Sequence, residues 1–190
     1  LRSPPTRRFS VLAARVMQAG GVIAYPTEGV WGLGCDPFNA VAVEKILRLK
    51  RRPVDKGLII VAASMAQLEP LLAPLQPEQI SQLQQSWPGP NTWLLPDPDQ
   101  LIPPWIKGKF ATVAVRVSDH KLVQSLCREF GGPIVSTSAN PGSMPPARNR
   151  LRVLNWFGAQ LDYVVPGRLG GKQGPSVIRD LASGQVFRQA

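Results

Sequence analysis

Histidine and cysteine are almost missing from these 190 residues: one histidine, His120, and two cysteines, Cys35 and Cys127. That scarcity excludes a structural zinc site and any disulfide framework, and two separate free thiols fit a reducing compartment. No apolar run approaches the roughly 20 residues that a membrane-crossing helix needs, so no membrane partner is expected. Acidic residues are also few, 12 Asp+Glu against 22 Lys+Arg, for a net charge of +10. None of them cluster with metal-ligand spacing, so any Mg²⁺ is expected to arrive on nucleotide phosphates rather than on a protein cage. The basic excess calls for an anionic partner, with nucleic acid the first candidate. Residues 1–10 carry basic side chains with no apolar segment behind them, which reads as no signal peptide, and a start on Leu1 rather than methionine reads as processed or trimmed. A cytoplasmic protein is the expectation.

What is present is an ordinary globular composition, 44% apolar. It predicts one α/β domain over residues 1–190, with its core at about 10–188. Phe9, Leu12, Ala13, Val16 and Met17 recur at helical spacing until Gly20-Gly21 stops them. Further helices are predicted over residues 40–50, from Pro77 to near Trp87, after Asp119 as cap, and after Asn149 as cap. Strands are predicted at residues 22–25, 58–62, 92–95, 112–117, 133–136, 163–165, 176–179 and 185–188, the last two as a hairpin around Ser183-Gly184. Strict βαβ alternation fails, so a mixed, twisted sheet flanked by helices is expected rather than a doubly wound one.

Four segments carry chemistry. Arg48, Lys50, Arg51, Arg52 and Lys56 put five cations within nine positions, at a helix-to-strand corner that Pro53 makes rigid. This suits a polyanion, or it merely complements a helix C-terminus. After residues 22–25 come Pro26, the polar pair Thr27-Glu28, and glycines 29, 32 and 34; either a ligand approaches the backbone there, or this is a glycine-rich turn leading to a helix start at Asp36. Arg116 lies inside an apolar strand. If Val113, Val115 and Val117 face one side, Thr112, Ala114 and Arg116 share the other, as an anion clamp or as a solvated face. Ser136, Thr137, Ser138 and Asn140 end a β-branched strand, placed for oxyanions or for a capped turn. His120 reads as structural, and the cluster of Arg148, Arg150 and Arg152 adds to the basic surface.

In their order along the chain, Tyr25-Pro26-Thr27-Glu28, Lys50-Arg51-Arg52-Pro53, Trp87-Pro88-Gly89-Pro90, Val115-Arg116-Val117 and Ser136-Thr137-Ser138-Ala139-Asn140 strongly resemble the YrdC/TsaC family. The resemblance covers about residues 15–188. It implies a twisted mixed α/β sheet with a basic concave face. It also implies a threonylcarbamoyl-AMP synthase, which joins L-threonine, bicarbonate and ATP and releases pyrophosphate. The product serves the threonylcarbamoyl modification of adenosine 37 in tRNAs that read ANN codons. By motif position, Lys50 and Arg52 would be the catalytic cations at the ATP phosphates. Lys56, Thr112, Ser138, Asn140 and Arg188 would join them around the nucleotide, and Thr27, Arg116, Ser136 and Ser176 would meet the threonine. Implied partners are tRNA or double-stranded RNA and other tRNA-modification proteins. The ending at Arg188-Gln189-Ala190 resembles the short bacterial form. Longer relatives carry a hydroxyl residue where Gly29 stands and often a histidine where Val61 stands, so threonine would be held differently here. The other reading is a non-catalytic RNA-binding protein acting in rRNA maturation.

Overall fold

A computed structural model describes residues 5–172 and 174–189. Residues 1–4, part of the stretch read above as lacking a leader, and Ala190 lie outside the described residues. Helix α1 (Pro5–Gln18) leads to a hairpin of β1 (Ile23–Pro26) and β2 (Trp31–Gly34), then α2 (Ala40–Lys50) and β3 (Ile59–Ala62). Short α3 (Glu69–Leu72) and α4 (Pro77–Ser86) precede β4 (Asn91–Pro96), α5 (Pro104–Lys107) and β5 (Thr112–Val117). The chain closes with α6 (Lys121–Phe130), β6 (Ile134–Ser138), α7 (Arg150–Phe157), β7 (Tyr163–Val164), β8 (Val177–Asp180) and β9 (Val186–Arg188). Among the described residues, nine strands form one sheet in the order β7-β1-β2-β6-β3-β5-β4-β8-β9. Parallel and antiparallel pairs alternate irregularly across it, which gives the mixed sheet expected from the failure of strict βαβ alternation.

The two faces of the sheet have different fates because strand side chains alternate. One face is continuous core. Val113, Val115 and Val117 pack there with Ile60, Val135 and Leu33 under apolar residues of α2 (Val43, Ile46), α4 (Leu83) and α7 (Val153, Phe157). Each such fully buried side chain stabilises the fold by about 1.5–3 kcal/mol. The other face is covered only in part. Helices α1 and α6 lay Ala13, Met17, Leu122, Val123 and Leu126 over Ile23, Tyr25, Val61 and Ile134. Beyond that cover the same face lies open. The register there puts Ser136, Ile59, Ala114, Leu94 and Asp180 in one row across five strands. The next row, where the helices begin to shield the sheet, runs Ile134, Val61, Arg116.

Two local readings are corrected. The glycines after Thr27-Glu28 do not make a turn toward a helix at Asp36: residues 31–34 are strand β2, and α2 starts later, capped by Asn39, whose side chain accepts from Ala42 N at 3.0 Å. Gly34 makes room for a ring, while Gly32 lines the cavity described below. A Cβ on Gly34 would fall 2.8 Å from Tyr25 Cε1 and 2.6 Å from the Val135 carbonyl. Two glycines in four residues carry poor strand propensity, and pairing with β1 and β6 on either side makes the segment a strand. The second correction concerns α6. Its N-cap is His120, while Asp119 turns outward to Lys172 Nζ at 2.7 Å. The remaining predicted helices and strands stand within a few residues of their expected ends, and Asn149 caps α7 by accepting from Arg152 N. Cys35 and Cys127 are both buried and unpaired, and burial pushes both thiols up.

Candidate active site

The uncovered part of the sheet face is the floor of a cavity of about 600 Å³. Its cationic lining comprises Arg52, Lys56, Lys107, Arg116, Lys172 and Arg188, against the acids Glu28 and Asp180. Several of these charges are already spent. Lys107 is held by Asp97 at 2.7 Å and Lys172 by Asp119 at 2.7 Å. Arg52, Lys56 and Arg188 remain as cations facing an incoming anion. Burial, then the neighbouring Arg116 and Arg52 charges, lowers the Arg188 pKa below its usual value.

Arg116 is 7% exposed, and a buried cation demands a partner. It has one: Nη1 lies 2.8 Å from Glu28 Oε2. Ser118 Oγ donates to Glu28 Oε1 at 2.6 Å. Burial alone would raise the Glu28 carboxyl, but the Arg116 charge and the Ser118 hydrogen bond outweigh it and hold it well below the usual carboxylate range. Thr112, Ala114 and Arg116 all line the cavity while Val113, Val115 and Val117 lie in the core, as the alternation of β5 requires.

The cation-rich corner is built by its own backbone. Arg51 ends α2 in the left-handed region with φ 50°, and its N–H returns to Arg48 and Leu47 carbonyls. Residues 54–56 make one 3₁₀ turn, and Gly57 (φ 61°) turns the chain into β3. Arg52 clasps this corner. Its Nε and Nη2 donate to the Gly57 carbonyl at 3.1 and 2.9 Å, and Nη2 also reaches the Lys56 carbonyl. Lys50 takes a different place. It is 4% exposed and points beneath the Ser138–Asn140 turn, donating to the Ser138 carbonyl, to the Asn140 carbonyl at 3.0 Å and to Asn140 Oδ1 at 3.2 Å. Ser138 Oγ in turn donates to Asn140 Oδ1 at 2.6 Å. Burial, then the nearby Arg52 charge, pulls the Lys50 pKa down to about 8.

The opposite wall comes from the C-terminal strands. Arg188 Nε and Nη2 donate to the Ser176 carbonyl at 3.0 and 2.7 Å, and Ser176 Oγ lies 2.7 Å from Thr92 Oγ1. A strap leading to this wall crosses the β1–β2 turn, where Gly170 N and Lys172 N donate to the Thr27 and Glu28 carbonyls at 3.0 Å each. Gly29 sits hard against it: a Cβ there would come within 2.1 Å of the Gly174 carbonyl. A hydroxyl side chain at this position would have no room in this chain. Val61 is fully buried in the α1–α6 cluster.

Of the residues singled out in the sequence, Thr27, Arg52, Lys56, Thr112, Arg116, Ser136, Ser138, Ser176 and Arg188 line this one cavity. Lys50 and Asn140 stand behind its wall and brace the turn that presents Ser138. His120 stays outside the lining, with Nε2 3.1 Å from the Arg168 carbonyl. Arg148, Arg150 and Arg152 are exposed elsewhere, Arg152 over the Trp156 ring at 5.2 Å. The sequence reading missed the roles of Glu28, Ser118 and Thr92. Ser118 is two positions beyond Arg116 and so shares its face, a signal that was available; the pairing of Glu28 with Arg116 joins distant segments and had none. Among the described residues no three His, Cys, Asp or Glu side chains gather as metal ligands, and no helix is long and apolar enough to cross a membrane.

The Sua5/YciO/YrdC family, described as "Telomere recombination", matches residues 15–190. A protein of Pseudomonas paraeruginosa named threonylcarbamoyl-AMP synthase is 58% identical over 178 residues, covering 94% of this chain and 95% of that protein. The crystal structure of P. abyssi Sua5 complexed with L-threonine superposes with a TM-score of 0.89 at 31% identity, over 98% of this chain and 55% of that longer one. E. coli YciO superposes at 0.84 with 25% identity, over 98% of this chain and 91% of its own. With the family match spanning nearly the whole sequence and the fold shared with both solved relatives, the chain belongs to the Sua5/YciO/YrdC family.

Proposed function

We propose that this chain is a threonylcarbamoyl-AMP synthase, making L-threonylcarbamoyladenylate and pyrophosphate from L-threonine, bicarbonate and ATP. The observation that carries the reading is the convergence of Arg52, Lys56, Arg116 and Arg188 with the hydroxyls of Thr112, Ser136 and Ser138 on one cavity. The identity to proteins bearing that name, and the threonine complex of the Sua5 relative, support it.

The threonine amine first takes up bicarbonate with loss of water, giving an N-carboxylate. A carbamate oxygen then attacks the α-phosphorus of ATP, and the bond to the β-phosphate oxygen breaks to release pyrophosphate. Two anions must meet, so the step is electrostatically uphill unless fixed cations receive the charge. Arg52, Lys56 and Arg188 neutralise the phosphates, and Mg²⁺ enters with ATP as part of the substrate. Arg116, held on one side by Glu28, offers its remaining N–H groups to the threonine carboxylate and so orients the nucleophile. Lys50 and Asn140 keep Ser138 turned to the nucleotide. No covalent side-chain nucleophile is needed.

The product would serve threonylcarbamoylation of adenosine 37 in ANN-reading tRNAs, in the cytoplasm, with other tRNA-modification proteins as partners and tRNA as a ligand of the basic surface. A binding-only role in rRNA maturation would not need a 7%-exposed arginine clamped by a buried acid at a cavity wall. The test is pyrophosphate release by purified protein with ATP, Mg²⁺, threonine and bicarbonate. Release that needs all four supports the proposal. No release, with RNA binding that survives Arg116→Ala, overturns it.

A further inference from the structure

The two carboxylate oxygens of Glu28 are held from different sides. Oε2 takes the Arg116 charge at 2.8 Å, and Oε1 accepts from Ser118 Oγ at 2.6 Å. The second contact has the short length of a hydroxyl donating to a charged oxygen. Ser118 is fully buried and lies outside the cavity lining. It stands two positions beyond Arg116, so both side chains take the same face. Each of its polar atoms is engaged. Its N–H donates to the Ala62 carbonyl at 3.2 Å, its carbonyl accepts from Gln124 Nε2 at 2.8 Å, and its Oγ accepts from His120 N at 3.1 Å. Ionised Glu28 can only accept, so the hydroxyl proton points to it while the His120 N–H fills a lone pair on Oγ. The same turn secures the strap. His120 Nε2 lies 3.1 Å from the Arg168 carbonyl, and a Cβ on Gly170 would lie 3.1 Å from both His120 Cδ2 and Glu28 Cα.

A glutamate held at one oxygen still swings, because its last torsion is broad. A swinging carboxylate would carry the Arg116 fork with it. We infer that Ser118 is a positioning residue: it locks the plane of the Glu28 carboxylate and, through it, aims the remaining N–H groups of Arg116 into the cavity at the threonine carboxylate. Ser118 itself touches no substrate. The assignment rests on the placement of the threonine carboxylate at Arg116 proposed above, and it adds the residue that sets the direction of that contact. A hydroxyl that merely satisfied a buried acid would act on stability alone and have no preference for threonine over ATP.

Steady-state pyrophosphate release by the full chain separates the two roles. Ser118→Ala raises the KM for threonine about tenfold, the low end for losing a hydrogen bond to a charged group, and leaves the KM for ATP nearly unchanged. Ser118→Thr keeps the hydroxyl and restores most of the threonine KM. Ser118→Cys has nearly the same size but a weak donor, falls between, and serves if the Ala variant melts early. In an Arg116→Lys background no fork remains to be aimed, so Ser118→Ala adds little. Threonine and ATP KM values that rise together, or a Ser118→Ala effect undiminished in Arg116→Lys, overturn the inference. A second readout needs no catalysis. In the ligand-free protein the ¹⁵N resonances of the Arg116 Nη atoms, assigned by their loss in Arg116→Lys, are resolved in the wild type and merge through faster guanidinium rotation in Ser118→Ala. Merged signals in that variant, with no pyrophosphate released by the wild type, keep the positioning role and remove the synthase. Signals that stay resolved in Ser118→Ala, with pyrophosphate released by the wild type, do the reverse.

Discussion

Arg116 Nη1 stands 2.8 Å from Glu28 Oε2, with the two side chains 8% and 6% exposed. Removing one partner of a buried pair leaves the other charge uncompensated, at about 3–5 kcal/mol. Glu28→Ala should therefore destabilise the protein by about that much, read as a lower urea midpoint. Glu28→Ala combined with Arg116→Met should recover part of the loss. The pair also sets an acid limit. Glu28 titrates below its unfolded value, so near the usual carboxylate range and below it the unfolded chain binds more protons, and stability rises with pH there. The contribution is full above that range and fades as pH falls through the folded pKa. An acid titration of stability should show this slope in the wild type and lose it in the double variant.

Lys50 gives a slope of the same sign in an alkaline window, but because burial penalises its charge. Its pKa falls from 10.5 to about 8 on folding. Between those values the unfolded chain keeps a proton that the folded one has shed, so stability rises as pH climbs from about 8 towards 10.5. Lys50→Met abolishes that rise. It also leaves the Ser138 and Asn140 carbonyls without their donor, and costs about 1–3 kcal/mol at neutral pH. Urea unfolding of both proteins across this window is the measurement.

Arg52 faces the cavity while clasping the Gly57 carbonyl. Arg52→Ala should lower pyrophosphate release about 100- to 1000-fold, the usual loss on deleting one charge-stabilising donor. Arg52→Lys restores charge but not the two-pronged clasp, and should recover only part of the rate. A variant with full activity would remove Arg52 from the phosphate site.

Gly29→Ser tests the strap. The new Cβ meets the Gly174 carbonyl at 2.1 Å, and backbone must move to admit it. Overpacking of this kind costs about 1–3 kcal/mol. The KM for threonine should rise more than the KM for ATP, because the Arg52–Lys56 corner lies away from the strap. Unchanged threonine kinetics would mean that the strap does not shape the amino-acid site.

Much of this was legible locally. Pro53 after a helical run of cations marks a rigid corner because proline cannot continue a helix, and the corner is there. Alternation along residues 112–117 places Arg116 away from the valines, and it faces the cavity. The failures are equally local. Strand β2 was invisible because glycine has poor strand propensity; pairing with β1 and β6, with Tyr25 packed on Gly34, makes it a strand. Asp119 resembled a cap, yet Lys172, 53 residues further on, took its carboxylate.

By itself the sequence determined which side chains carry charge, where helices must end, and which face of each strand a residue takes, since steric rules acting over a few bonds decide these. The tertiary structure alone decided that Glu28 neutralises Arg116 and that Lys50 reaches Asn140, 90 residues away. Such pairings depend on strand order and register, and those follow from packing two sheet faces unequally, one sealed by helices and one left partly open.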